Sequence, residues 1–160
     1  MIELKPMLAQ DFGDYLSRAV RNYAADHLRT EGGTEGAAFE YARDSFDTLL
    51  PDGEATPGHY LYTVFSVEKG VNVGVIWVGV ITSKQVRRAH VFDIFIDEPY
   101  RRMGYAKQAF QAIEGCVREL GLSEISLHVF GYNDKAYALY RQLGYRPTHI
   151  SMVKTLESSE

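Results

Sequence analysis

A chain of 160 residues has the size of one ordinary domain, and a single unit over 1–160 is expected. With 46% hydrophobic and 24% charged residues it is neither a disordered nor a collagen-like chain, and its net charge of −4 argues against a nucleic-acid partner held by bulk electrostatics. No apolar run nears the ~20 residues that span a bilayer, the N-terminus lacks the apolar core of a signal peptide, and the lone Cys116 has no disulfide partner within the chain. No membrane partner and a reducing, cytoplasmic setting are therefore expected. Eleven Tyr and eight Phe stand against one Trp. Buried tyrosines need partners for their hydroxyls, so some of these rings should line a cleft.

In chain order, residues 2–8 can form a short strand. Phe12, Tyr15, Leu16, Ala19, Val20 and Tyr23 then recur at helical spacing and predict an amphipathic helix over 9–29, stopped by Gly32 and Gly33. A second helix opens at Thr34, with Phe39, Ala42, Phe46, Leu49 and Leu50 as its apolar stripe, and Pro51 ends it. Two prolines and two glycines within 51–58 mark a loop. Three β-rich runs follow at 60–67, 71–81 and 89–96, with turns at 68–70 and 82–85. A helix over 104–120 comes next, then a strand at 125–130, a helix at 133–143 and a closing strand at about 148–155. The order β-α-α-β-β-β-α-β-α-β is that of an α/β (α+β) fold. An antiparallel meander leads into a β-α-β crossover, which should be right-handed, giving a mixed sheet with helices on both faces.

Chemistry concentrates where the strand ending at Ile96 hands over to the next helix through Arg101-Arg102-Met103-Gly104-Tyr105-Ala106-Lys107. The first amides of a helix have no internal acceptors and point outward, where the helix dipole adds partial positive charge. Gly104 and Ala106 leave room for a close approach, and Arg101, Arg102 and Lys107 add charge. The combination suits an anion, with pyrophosphate as the natural guest. A tight strand–helix turn would use the same glycine. The segment is neither a Walker loop nor a Rossmann fingerprint.

About 27 residues further on stands Asn133-Asp134-Lys135-Ala136-Tyr137-Ala138-Leu139-Tyr140-Arg141-Gln142-Leu143-Gly144-Tyr145. The two motifs, with the element order, resemble the GNAT superfamily of acyl-CoA-dependent N-acetyltransferases, and the stretches 102–109 and 127–130 are most similar to its small bacterial members. Ala106 stands where glycine is commoner in that family, and Arg102 where glycine is often found. The resemblance implies a mostly antiparallel sheet of six to seven strands, acetyl-CoA as cosubstrate and direct transfer of its acetyl group to a primary amine, either a small molecule or a protein amino group. It implies a V-shaped cleft in which backbone groups of Ile94, Phe95 and Ile96 pair with the pantetheine arm, while the amides of Arg102, Met103, Gly104, Tyr105, Ala106 and Lys107 hold the pyrophosphate. It also places Asn133 near the pantetheine arm, a position where it could equally cap the following helix. Many members dimerise, so a homodimer is possible.

Tyr140 falls, by resemblance, near the sulfur of CoA. A free tyrosine titrates near 10 and an alkyl thiol near 8.5, so full proton transfer to the thiolate is uphill by ~2 kcal/mol and the phenol would act chiefly as a hydrogen-bond donor. Its stripe with Ala136, Leu139 and Leu143 suits core packing as well. Alkylammonium acceptors, with pKa near 10.4, must lose a proton before attack. Asp93, which interrupts an apolar strand, is the candidate base, in competition with a water relay; it could instead pair with His90 or an arginine, or bind the acceptor ammonium. Glu40 and Asp44 share one helix face, either solvated or near the acceptor. Tyr41, Tyr60 and Tyr62 are candidates for the acceptor cleft. The five histidines show no ligand spacing, so no metal is expected. Cys116 reads as a small core residue. A module of the same fold that binds acyl-CoA without turnover is the rival reading.

Overall fold

The computed structural model describes residues 1–158. Five strands, β1 (Ile2–Pro6), β2 (His59–Ser66), β3 (Val71–Ser83), β4 (Val86–Ile96) and β5 (Ile125–Leu127), form one sheet in sequential order. Four α-helices, α1 (Ala9–Glu31), α2 (Glu35–Leu49), α3 (Tyr105–Glu119) and α4 (Asp134–Gln142), accompany two short 3-10 turns at Gly53–Ala55 and Glu98–Tyr100. The first three pairings are antiparallel, and β4–β5, joined through α3, is parallel. The α/β architecture and the crossover read from the sequence are therefore present.

Local chemistry explains the boundaries. Gly32 adopts φ 76° just past α1, where its N–H bonds Leu28 O, a conformation that glycine takes at little cost. Thr34 caps α2 by accepting the Ala37 N–H at 3.2 Å. The β3–β4 hairpin closes on two residues, Lys84 and Gln85, both at positive φ. That conformation matches the twist of the strands, so β3 and β4 run longer than their apolar patterns suggest.

Each face of the sheet buries its own core. Helices α1 and α2 pack Tyr15, Ala19, Val20, Ala38, Ala42 and Phe46 against Leu61, Val75 and Trp77. On the other face, α3 packs Tyr105, Ala109, Phe110, Ile113 and Val117 against Val64, Val73, Ile76, Val78 and Val91. Tyr60 and Tyr62 lie on this second face, away from the cleft expected of them. Cys116 is half-buried beside the same core, as a small packing residue.

Three expectations are corrected. The sheet has five strands rather than six to seven, and the closing strand at 148–155 is absent: the chain from Tyr145 to Ser158 carries no regular element. A strand needs a ladder partner as well as an apolar pattern, and this segment has none among the described residues. The fifth strand also stops at Leu127 rather than 130, because its partner β4 turns away after Val91.

Candidate active site

The parting of β4 and β5 builds the site. The pairs Ala89–Ile125, His90–Ser126 and Val91–Leu127 join the two strands, and beyond them β4 continues to Ile96 with β3 as its only paired strand among the described residues. The backbone of Phe92 to Ile96 thus presents an open edge on the β5 side, where Ile94, Phe95 and Ile96 were expected to offer groups to a ligand.

A β-bulge at the same place aims the chemistry. In the β3–β4 ladder Trp77 faces Asp93 and Val78 faces Val91, so Phe92 is an extra residue. Strict alternation would put Asp93 on the α3 face with Val91. The bulge restarts the alternation. Phe92 packs with the α1–α2 core, and Asp93 follows it onto that face, where it accepts a hydrogen bond from Tyr15 Oη at 2.9 Å. Burial pushes the Asp93 carboxyl above the ordinary carboxylate range, and the nearby Asp26 adds to the effect; the Tyr15 hydrogen bond, the Arg18 guanidinium and the Ile94 amide pull the other way. Asp93 pairs with neither His90 nor an arginine. Arg18 forms its ion pair with Asp97 at 3.3 Å and lies over the Phe95 ring, 3.9 Å from its centroid.

Tyr140 reaches the gap from α4. Its ring packs edge-on against Phe110 at 5.2 Å between centroids, and burial, with the charge of Asp93, pushes its hydroxyl up to about 12. Asp93 and Tyr140 line one cavity of about 780 Å³. Its walls come from Tyr23, Asp26 and Glu31 of α1, from Tyr41 and Phe46 of α2, from Trp77, His90 and Phe92 of the sheet, and from His128, Phe130 and Asn133. Glu40 and Asp44 are exposed on the far side of α2 and take no part. The α1 contribution, Asp26 above all, escaped the sequence reading. That helix was read for its apolar stripe, and nothing local marks which polar residue will meet the far end of the sheet. Tyr132, in the loop before α4, donates a hydrogen bond to Asp26 and carries the Arg29 guanidinium over its ring at 3.7 Å, tying that loop to α1.

At the other end of the open edge, α3 begins without a side-chain cap. Its first internal bond runs from Gln108 N to Gly104 O, and among the described residues the amides of Arg102, Met103, Gly104, Tyr105, Ala106 and Lys107 have no acceptor. Arg102 and Gly104 take positive φ, 61° and 80°. A Cβ on Gly104 would meet only Gln108 Nε2, at 4.0 Å, so open space lies in front of these amides. The residues fit a pyrophosphate group. Two side chains turn elsewhere. Tyr105 is buried, its hydroxyl 3.1 Å from Ser66 Oγ, and contributes only its amide. Arg101 donates from Nε to Ile96 O at 2.8 Å and so braces the strand end. Asn133 caps α4, its Oδ1 accepting the Ala136 N–H at 3.2 Å, while it also lines the cavity. No group of three or more metal-ligating side chains occurs among the described residues.

This combination of splayed parallel strands, an uncapped helix N-terminus and a carboxylate–phenol pair is that of an acyltransferase fold. Residues 20–145 match the model of the acetyltransferase (GNAT) family, and the chain belongs to that family. It is 35% identical over 155 residues to N-acetyltransferase YycN of Bacillus subtilis (strain 168), itself uncharacterized, covering 97% of this chain and 99% of the relative. YdgE of the same organism is 29% identical over 153 residues, 96% of this chain and 97% of the relative. The crystal structure of YycN aligns with a TM-score of 0.90 at 34% identity, over 99% of this chain and 100% of that one.

Proposed function

We propose that this GNAT-family acetyltransferase uses acetyl-CoA and transfers the acetyl group directly to the primary amine of a cationic acceptor. The observation that carries the reading is the meeting of Asp93 and Tyr140 on one cavity where β4 and β5 part. Acetyl-CoA, when bound, supplies the acetyl thioester. The amides of Arg102 to Lys107 hold its pyrophosphate, with Arg102 and Lys107 adding charge, and the open edge at Ile94 to Ile96 orients the pantetheine arm and polarises the thioester carbonyl.

Asp93 takes the proton from the acceptor ammonium, directly or through a water. Its raised pKa suits a base working near neutral pH. Tyr140 is firmly neutral at about 12 and donates a hydrogen bond to the departing thiolate. The two groups are linked. Once Asp93 is protonated, its charge no longer holds the phenol up, so Tyr140 becomes a better donor when the thiolate needs one. Asp26, Asp93 and Glu31, set among the rings of Tyr23, Tyr41 and Phe130, suit a cationic acceptor by charge and by cation–π attraction.

The test is CoA release measured against a panel of alkyl amines, amino acids and peptides. Turnover with at least one amine is expected, and Tyr140→Phe is expected to lower kcat on the order of ten- to a hundred-fold while CoA affinity holds. CoA binding without release across the panel would assign the chain to the non-catalytic, acyl-CoA-binding reading, and unchanged turnover in Tyr140→Phe would remove this residue from the mechanism.

A further inference from the structure

The cavity that holds Asp93 and Tyr140 is longer than one reacting amine needs. Helix α1 lines it from Ala19 to Glu31, a rise of ~18 Å at ~1.5 Å per residue. Asp93 belongs to the early end of that wall, where Tyr15 holds it. Asp26, His27 and Glu31 stand on the last turns of α1. An ammonium and its carbon fill only the Asp93 end.

The far end has the chemistry of a second cation site. Asp26 is half-buried; its Oδ1 accepts from Tyr132 Oη, and its Oδ2 has no partner among the described residues. Glu31 stands exposed at the margin. No Lys or Arg lines the cavity among the described residues. Asp26, Glu31 and Asp93 enter no ion pair there either. Arg29 is spent on the Tyr132 ring, 3.7 Å from its centroid. Tyr41 adds an aromatic face, stacked on His27 at 4.1 Å and on Tyr23 at 6.1 Å, and ring faces attract cations. Helix α1 ends at Glu31, so its dipole puts further partial negative charge at this end. Among the described residues no three acids, histidines or cysteines converge as metal ligands would, so the carboxylates are spread along the wall. Phe46, Leu49, Trp77 and Phe92 make much of the remaining wall apolar, which suits a methylene chain.

We infer that the acceptor is an aliphatic α,ω-diamine, whose first ammonium meets Asp93 while its second is held by Asp26 and Glu31; this rests on the acetyl-transfer reading above. Asp93 takes a proton from the near ammonium. The freed nitrogen bonds the acetyl carbon as the carbon–sulfur bond breaks, and the proton that nitrogen sheds on becoming an amide ends on the sulfur of CoA. The far nitrogen keeps its charge throughout. A second round would set a neutral acetamide against Asp26 and Glu31, so the reaction stops at the monoacetyl product.

The test compares diaminobutane, diaminohexane and diaminooctane with butylamine, hexylamine and octylamine, and with aminohexanoate, which carries an anion at its far end. CoA release and product mass are followed, and the same amines are titrated calorimetrically into the CoA-bound protein. The best diamine is expected to exceed the monoamine of equal length on the order of ten-fold or more, in kcat/KM and in Kd. Aminohexanoate should fall below hexylamine, and only monoacetyl product should accumulate. Asp26→Asn/Glu31→Gln should bring the diamine-to-monoamine ratio toward one, while Glu40→Gln/Asp44→Asn, outside the cavity, should leave it unchanged. Should the first double variant fail to fold by circular dichroism, Glu31→Gln alone, at an exposed position, is expected to lower the same ratio. Equal treatment of diamines and monoamines overturns the proposal. So does a preference that survives the cavity variants, one that the α2 variant also removes, or ready diacetylation. If no amine is turned over, the acetyl-transfer reading fails, and calorimetry decides the second cation site: a diamine preference lost in the cavity variants upholds it, and no preference overturns it.

Discussion

Asp93 bears the closest scrutiny at the scale of single residues, because its surroundings oppose its charge. Burial raises its carboxyl pKa, so the neutral form is favoured by folding. The stability this provides is present below the unfolded carboxylate value of about 3.9 and is lost as pH rises through the folded value. At pH 7–8 the ionised group therefore works against the fold. Asp93→Asn should keep or raise Tm in that range while kcat/KM falls on the order of 10²–10⁴-fold; a lower Tm would show that the carboxylate is structural. Tyr15 acts through Asp93 as a positioning residue. Its hydrogen bond holds the carboxyl down, so Tyr15→Phe should move the acid limb of kcat/KM to higher pH with the alkaline plateau kept. A plateau loss without that shift would reduce Tyr15 to packing. Asp93 was legible in the sequence because it interrupts an apolar strand. Tyr15 was legible only as a member of a helical stripe, since its hydroxyl finds a partner 78 residues away.

Among the elements, the β4–α3 junction is where sequence and geometry agree most closely. Gly104 at φ 80° opens onto free space in front of unpaired amides. Gly104→Glu would fill that space, strain the backbone and set a negative charge against the helix dipole. CoA affinity is expected to fall on the order of ten-fold or more, ~1.4 kcal/mol per decade, and an unchanged Kd would withdraw the cradle. The helices were legible because their periodicity and stop signals are local. The Phe92 bulge was not, although it decides which face Asp93 serves: a bulge is a property of two strands in register, and β3 shows no matching irregularity in its own pattern. The segment 148–155 marks the opposite limit. Its apolar pattern suggested a strand, but a pattern names no partner, and the segment forms no regular element.

For the molecule as a whole, acid should loosen the fold through two histidines. Burial lowers the pKa of His59, and burial, with the charge of His128, lowers that of His90. Both are neutral acceptors or relays in the fold: His59 Nδ1 accepts from Trp77 Nε1 at 3.0 Å, and His90 Nδ1 lies 2.8 Å from Ser126 Oγ. A depressed folded pKa means that stability is full above the unfolded value of about 6.5 and declines as pH falls toward the folded values. Asp93 has the opposite sign, so the clean measurement is Tm by calorimetry in Asp93→Asn between pH 7.5 and 5. A decline is expected, and a flat profile would show that neither histidine gains from neutrality.

The single tryptophan has a use beyond packing. Trp77 stacks on Phe92 at 4.6 Å, is almost fully buried, and forms part of the cavity wall beside Asp93. Whatever enters that cavity meets the Phe92–Trp77 stack, and no second indole dilutes the signal. The molecule therefore carries its own optical gauge of occupancy, through which acceptors can be ranked by binding before any of them is acetylated.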